Sequence, residues 1–317
     1  MKEHKRLGKG LEEVSHLFLS SQEKREPPSE NSPQPTPQMS EVSQQLFPGV
    51  VAITGDHRSL EKSFVVSNLA IELARRGHRV RVVDADLSFP DQSFLWGLRP
   101  SDSVAHLAAA QESGEEKQVI LQGPLGVKLL SLDIDFPQLL TLPRQARQRL
   151  LTRLMAFEAN AQLMLVDTSV TLSSNSRLIF QLANQIVVLA PSDTLGMIDA
   201  YAVIKGILAL RPAAPIGLVV YNVRMVTEAQ AIAEKMNQAI GKFLGTNISN
   251  LGFLYADLNI GKSIARRKPL VLSARSSRVA RNLSGIADKI WVQQEKRERL
   301  QDLSFFAAMN QALEDRR

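Results

Sequence analysis

Three short runs, LMLVD at 163–167, IVVLA at 186–190 and IGLVV at 216–220, are apolar almost throughout. A strand with one wet face alternates apolar and polar residues, whereas an unbroken apolar run suits a strand covered on both faces. Similar runs set further strands, giving expected strands at 49–54, 79–84, 118–122, 127–132, 162–167, 186–190, 216–221 and 250–254. Between most of them the apolar residues recur at helical spacing, predicting helices over 62–76, 138–158, 174–184, 197–210, 227–243 and 278–292. Strands that alternate with helices predict an α/β fold: one three-layer α/β/α domain with a mostly parallel sheet. With 317 residues, 44% of them apolar, the chain can fill one large core and still carry tails. No internal repeat is visible.

The expected domain covers 48–292. Ahead of it, residues 1–22 place Leu11, Val14, Leu17 and Phe18 at helical spacing, one apolar stripe on a helix too short to persist alone. Residues 23–47 hold Pro27, Pro28, Pro33, Pro35 and Pro37 among Ser, Glu and Gln, which reads as a disordered, extended linker. An amphipathic peptide on such a tether suits docking to a protein partner; the plain alternative is that it folds back on its own domain. After the domain, 293–317 forms a helical extension in which Leu300, Leu303, Phe306, Met309 and Leu313 follow at steps of three or four.

Composition removes several classes of function. The chain has no cysteine, so neither a disulfide framework nor a thiolate metal site is available, and its five histidines are scattered. No apolar signal core opens the chain, and no run of about 18 apolar residues occurs in it. The expected location is therefore the cytoplasm, with peripheral association at the inner membrane as the alternative.

The segment VVAITGDHRSLEKSFVVSNLA at 50–70 has the order of a phosphate-binding loop: strand, polar loop, Lys62-Ser63, helix. In such a loop glycines let successive backbone N–H groups converge on phosphates, the lysine reaches the outer phosphates, and the hydroxyl takes Mg²⁺. Here the two fixed glycine positions, counted back from the lysine, hold Asp56 and Glu61. Taken alone, the loop also fits an ordinary strand–helix junction with an exposed lysine. Three strand ends speak for the phosphate loop. VRVVDAD ends on Asp84 and Asp86, a pair suited to Mg²⁺ or water positioning. LMLVD ends on Asp167, a Walker B position, and LVVYN on Asn222, which can hydrogen-bond a base edge. Ligand sites of α/β sheets lie at such carboxyl ends.

Across 48–292 the chain resembles the MinD/ParA group of deviant-Walker ATPases, and within it the FlhG (FleN) branch of flagellar-number regulators. KSFVVSNLAIELARRGHRVRVVDADLSFPDQSFLWGL, LMLVDTS, SDTLGMIDAYAVIKGI and VVYNVRMVTEAQAIAEKMNQAIGKFL carry the resemblance. It implies an ATP and Mg²⁺ site in which Lys62, Ser63, Asp84, Asp86, Asp167 and Asn222 bind the nucleotide. Ser63, Asp84 and Asp167 would hold the metal, and Asp86 would be the catalytic carboxylate of an active hydrolase. The family's dimer-bridging signature lysine falls on His57, and a glycine four positions after the Walker B aspartate falls on Thr171. Departures at both loops predict a pseudo-ATPase, with ATP and Mg²⁺ bound weakly or not at all. The resemblance extends in part to capsule-export tyrosine kinases, but this chain has only three tyrosines, all before residue 256, and no tyrosine-rich tail.

Two surfaces lie outside the site. Residues 262–281 carry Lys262, Arg266, Arg267, Lys268, Arg275, Arg278 and Arg281 with no acid, a patch for DNA, anionic lipid or an acidic partner. The charges around the C-terminal stripe cancel, which favours packing on the domain or a partner over a membrane surface. The function expected is control of placement or assembly of a cell-envelope machine (flagellum, pilus or polysaccharide export) through protein partners. The alternatives are an active ATP-dependent dimerisation switch, working as a homodimer, and a ParA-like DNA-associated positioning protein.

Overall fold

Along strand β1 (Gly49–Thr54), Val50 and Ala52 point into one apolar core while Val51 and Ile53 point into another. The computed structural model describes residues 47–55, 59–99, 103–109, 119–170, 172–296 and 304–316. The expected docking residues Leu11, Val14, Leu17 and Phe18 lie outside them, as do Asp56, His57, Arg58 and Thr171.

With β2 (Val80–Ala85), β3 (Ile120–Gln122), β4 (Lys128–Ser131), β5 (Leu163–Thr168), β6 (Gln185–Pro191), β7 (Ile216–Val223) and β8 (Ser249–Tyr255), β1 forms one eight-stranded sheet. The order is β3-β4-β2-β5-β1-β6-β7-β8, parallel except for the short edge strand β3, which runs antiparallel to β4. One face is covered by α3 (Val104–Ala109), α4 (Arg144–Glu158), α5 (Ser174–Leu182), α6 (Thr194–Leu210) and α7 (Val226–Leu244). The other is covered by α1 (Ser59–Arg75) and α10 (Arg278–Glu295), with the short helices α2 (Gln92–Leu95), α8 (Leu258–Ala265) and α9 (Leu270–Ser273). This is the expected three-layer arrangement.

Several boundaries differ from those expected, each for a local reason. Helix α1 begins at Ser59 rather than at 62, because SLEK contains neither glycine nor proline to stop the helix running upstream. The expected helix 138–158 splits: a 3-10 segment spans Phe136–Thr141 and α4 starts only after Pro143. Proline disfavours helical geometry in the residue before it, so Leu142 stays extended. Helix α7 ends on Gly245 in the left-handed region at φ 67°, where a glycine carries no steric cost.

The C-terminal helix α11 (Phe305–Glu314) buries Phe305, Phe306, Met309 and Leu313 against the α4–α5 side of the core. Its first amides, Phe305 N and Phe306 N, donate to the buried Glu158 carboxylate at 3.1 and 2.9 Å. Phe306, Met309 and Leu313 of the expected C-terminal stripe thus pack on the domain's own core, while Leu300 and Leu303 lie outside the described residues. Among the described residues no helix is long and apolar enough to cross a membrane.

Candidate functional site

Strand β5 lies between β2 and β1, and this insertion creates the site. In the β2–β5 register Asp84 stands opposite Asp167, and in the β1–β5 register Asp167 stands opposite Ile53. Two strand-end carboxylates therefore sit side by side, with Asp86 just beyond. Helix α1 starts close by and brings Lys62 and Ser63 over them.

Lys62 does not project toward an open loop. Its side chain is 2% exposed, and its ammonium donates to Asp86 Oδ2 at 3.1 Å and to Asp167 Oδ1. The remaining carboxylate oxygens are also taken. Gln92, from α2, donates through Nε2 to Asp167 Oδ2 at 2.7 Å and through its backbone N–H to Asp84 Oδ2 at 3.0 Å. Asp86 Oδ1 accepts from the backbone of Ser88 and Phe89, and Asp84 Oδ1 from Asp86 N at 3.4 Å.

The electrostatics follow from three carboxyls around one ammonium in a dry place. Burial alone would lower the Lys62 value, but the carboxylates of Asp167 and Asp86 outweigh it and hold the ammonium above its ordinary range. Asp84 is pushed well above the usual carboxylate range, by burial and by Asp167 beside it, against the pull of the Gln92 amide. Lys62 is thus the single cation among three buried carboxyls, and backbone and Gln92 N–H groups supply the remaining contacts to them.

The hydroxyl of Ser63 is buried and has no hydrogen-bond partner among the described residues, which is the donor a metal would use. Every other group expected at the phosphate end is already satisfied from within the protein. Lys62 here holds two carboxylates and Gln92 a further oxygen of Asp167, so these groups face one another. Glu61, in the first turn of α1, adds a carboxylate where the loop would need bare backbone.

The surroundings of Asn222 are different. A cleft of about 620 Å³ opens between α1, the end of β7 and α8, with Leu60, Phe64, Tyr221, Leu254 and Ile264 in its walls. Asn222 faces it, exposed, in the left-handed conformation at φ 61°, which asparagine tolerates better than most residues. Its carbonyl accepts from Ser192 Oγ at 2.9 Å, tying the ends of β6 and β7 together. The structure therefore brings Lys62, Ser63, Asp84, Asp86 and Asp167 into one buried cluster and sets Asn222 at a separate, open cleft. Gln92 was not among the expected site residues, and a glutamine in a polar loop gives no signal that could have found it.

The basic patch runs from α8 (Lys262) through the turns that flank α9 (Arg266, Arg267, Lys268, Arg275) to the start of α10 (Arg278, Arg281). Lys262, Arg266, Arg267, Lys268, Arg275, Arg278 and Arg281 are all exposed. Arg267 lies over the Phe94 ring at 4.5 Å and Arg278 over Tyr255 at 5.2 Å.

This geometry can be set beside known proteins. The model of the CobQ/CobB/MinD/ParA nucleotide binding domain matches residues 51–270. The chain belongs to that family. Among the relatives of this MinD/ParA-family chain is the antiactivator FleN of Pseudomonas aeruginosa, 22% identical over 241 residues, which are 76% of this chain and 85% of FleN. The flagellum site-determining protein YlxH of Helicobacter pylori is 23% identical over 167 residues, 49% of this chain and 52% of YlxH. The MinC:MinD cell division protein complex of Aquifex aeolicus shares the fold, with a TM-score of 0.59 at 15% identity, covering 80% of this chain and 98% of that one.

Proposed function

We propose that this MinD/ParA-family protein positions or assembles a cell-envelope machine through protein partners, and that its nucleotide site has been turned over to structure. The machine is a flagellum, a pilus or a polysaccharide-export system, and the similarity to FleN and to the flagellum site-determining YlxH favours the flagellum. The observation that carries the pseudo-ATPase part is the buried Lys62, bound to Asp86 and Asp167 in place of a phosphate. Asp56, Glu61, His57 and Thr171, where the family pattern calls for glycines and a lysine, support the same reading. The N-terminal stripe of Leu11, Val14, Leu17 and Phe18 is the proposed partner contact.

Titration of the full chain with a fluorescent ATP analogue and Mg²⁺ tests the site. Binding no tighter than the millimolar range is expected. Micromolar or tighter binding that disappears in Lys62→Ala, with the variant still folded, would establish an ATP-dependent dimerisation switch instead. The open cleft at Asn222 is what favours that second reading. The exposed cations on α8–α10 favour the DNA-associated one, which salt-dependent binding to random duplex DNA, lost in Arg266→Ala/Arg267→Ala, would establish.

A further inference from the structure

Gln92 is buried at 0% exposure inside a cluster made almost wholly of acceptors. Its Nε2 donates one hydrogen to Asp167 Oδ2 at 2.7 Å and the other to the main-chain oxygen of Ser63 at 2.9 Å. Both neighbours can only accept there, so the amide is fixed in this orientation; the flipped form would set oxygen against oxygen. Its Oε1 has no hydrogen-bond partner among the described residues. The carbonyl half of the side chain therefore gains nothing, and the two donors are its whole contribution. A divalent cation held between the start of a helix and a strand-end carboxylate would meet the same need, by neutralising Asp167 and tying β5 to α1.

We propose that Gln92 is a resident substitute for the divalent cation of this site: with Lys62 it supplies the positive ends that Asp84, Asp86 and Asp167 require, so the cluster takes no metal ion. This rests on the structural reading of the nucleotide site given above, and it adds the residue responsible. Removal of the amide frees Asp167 Oδ2 and the Ser63 main-chain oxygen, which it now bridges, and a cation site opens on these two oxygens.

Mn²⁺ is the probe, followed by the loss of its free-ion paramagnetic resonance signal and by thermal melting of the full chain. The proteins are wild type, Gln92→Ala, the nearly isosteric Gln92→Met, and Gln92→Ala/Asp167→Asn. Wild type is expected to bind no Mn²⁺ at this site and to melt at the same temperature with and without it. Gln92→Ala is expected to bind Mn²⁺ at least about tenfold more tightly, the size of effect that residues next to a metal site exert. It should melt higher with Mn²⁺ present, and both gains should vanish in the double variant. Folded Gln92→Ala and Gln92→Met that bind no better than wild type overturn the proposal. So does failure of both to fold with or without Mn²⁺, since a cation site would be rescued by the ion. If wild type binds the ATP analogue weakly and these variants gain nothing, only the role of Gln92 falls. Tight Lys62-dependent nucleotide binding by wild type would overturn both readings.

Discussion

Replacing Lys62 by methionine separates a structural lysine from a phosphate-binding one. Methionine keeps most of the volume of the lysine stem, so the loss is chiefly that of the charge. The ammonium and its partners Asp86 and Asp167 are at most 2% exposed. Removing one member of a buried ion pair leaves an uncompensated charge, at a cost of about 3–5 kcal/mol. Asp86 and Asp167 would then face one another with no cation between them. For a domain of this size each kcal/mol moves the melting temperature by about 2–4 °C, so a fall on the order of 10 °C is expected near pH 8. Lys62→Met/Asp167→Asn should recover part of it. Calorimetry or urea unfolding of the ligand-free chain reads both. A lysine whose role was to meet a phosphate would cost ligand affinity and little apo stability. A melting temperature within about 2 °C of wild type, with the fold intact, would refute the structural assignment.

Glu158 should make stability fall with pH. Burial raises its carboxyl to about 7, against the Phe306 and Phe305 amides and Ser304, so the native state binds more protons than the unfolded chain between about 4.5 and 7. Stability is then lost as pH rises through that window, by up to about 3 kcal/mol, and is flat above it. Glu158→Gln should abolish the slope, as read by urea midpoints at pH 5 and 8. Phe306→Ala should cost about 3–5 kcal/mol and speed hydrogen exchange across Phe305–Glu314 first, because Phe306 is fully buried under α11. Gly196→Ala should destabilise by about 1–3 kcal/mol, because its Cβ would fall on the ring of Pro191, which cannot swing aside. An unchanged melting temperature would show that the α6 start shifts freely.

Much of the architecture was written in local pattern. The apolar runs at 163–167, 186–190 and 216–220 become β5, β6 and β7, because a strand covered on both faces has no position for a polar residue. Strand-end polar residues were legible too, since ligand sites of parallel sheets gather there. The register that sets Asp84 against Asp167 was not legible: it depends on β5 entering between β2 and β1, which lie far upstream in sequence. Nor did the sequence separate an exposed Lys62 from a buried one, since GDHRSLEKS is compatible with either.

The sequence by itself determined the layers, the order of strands and helices, and which chemical groups stand at the strand ends, because these follow from short-range periodicity. Only the tertiary structure decided what those groups do to one another. Bringing three carboxyls together in a dry crevice calls for a counter-charge and for hydrogen-bond donors, and Lys62 supplies the first while Gln92 adds its amide hydrogens. In the same way it decided that Phe306, Met309 and Leu313 face the core, where Glu158 holds the first amides of their helix.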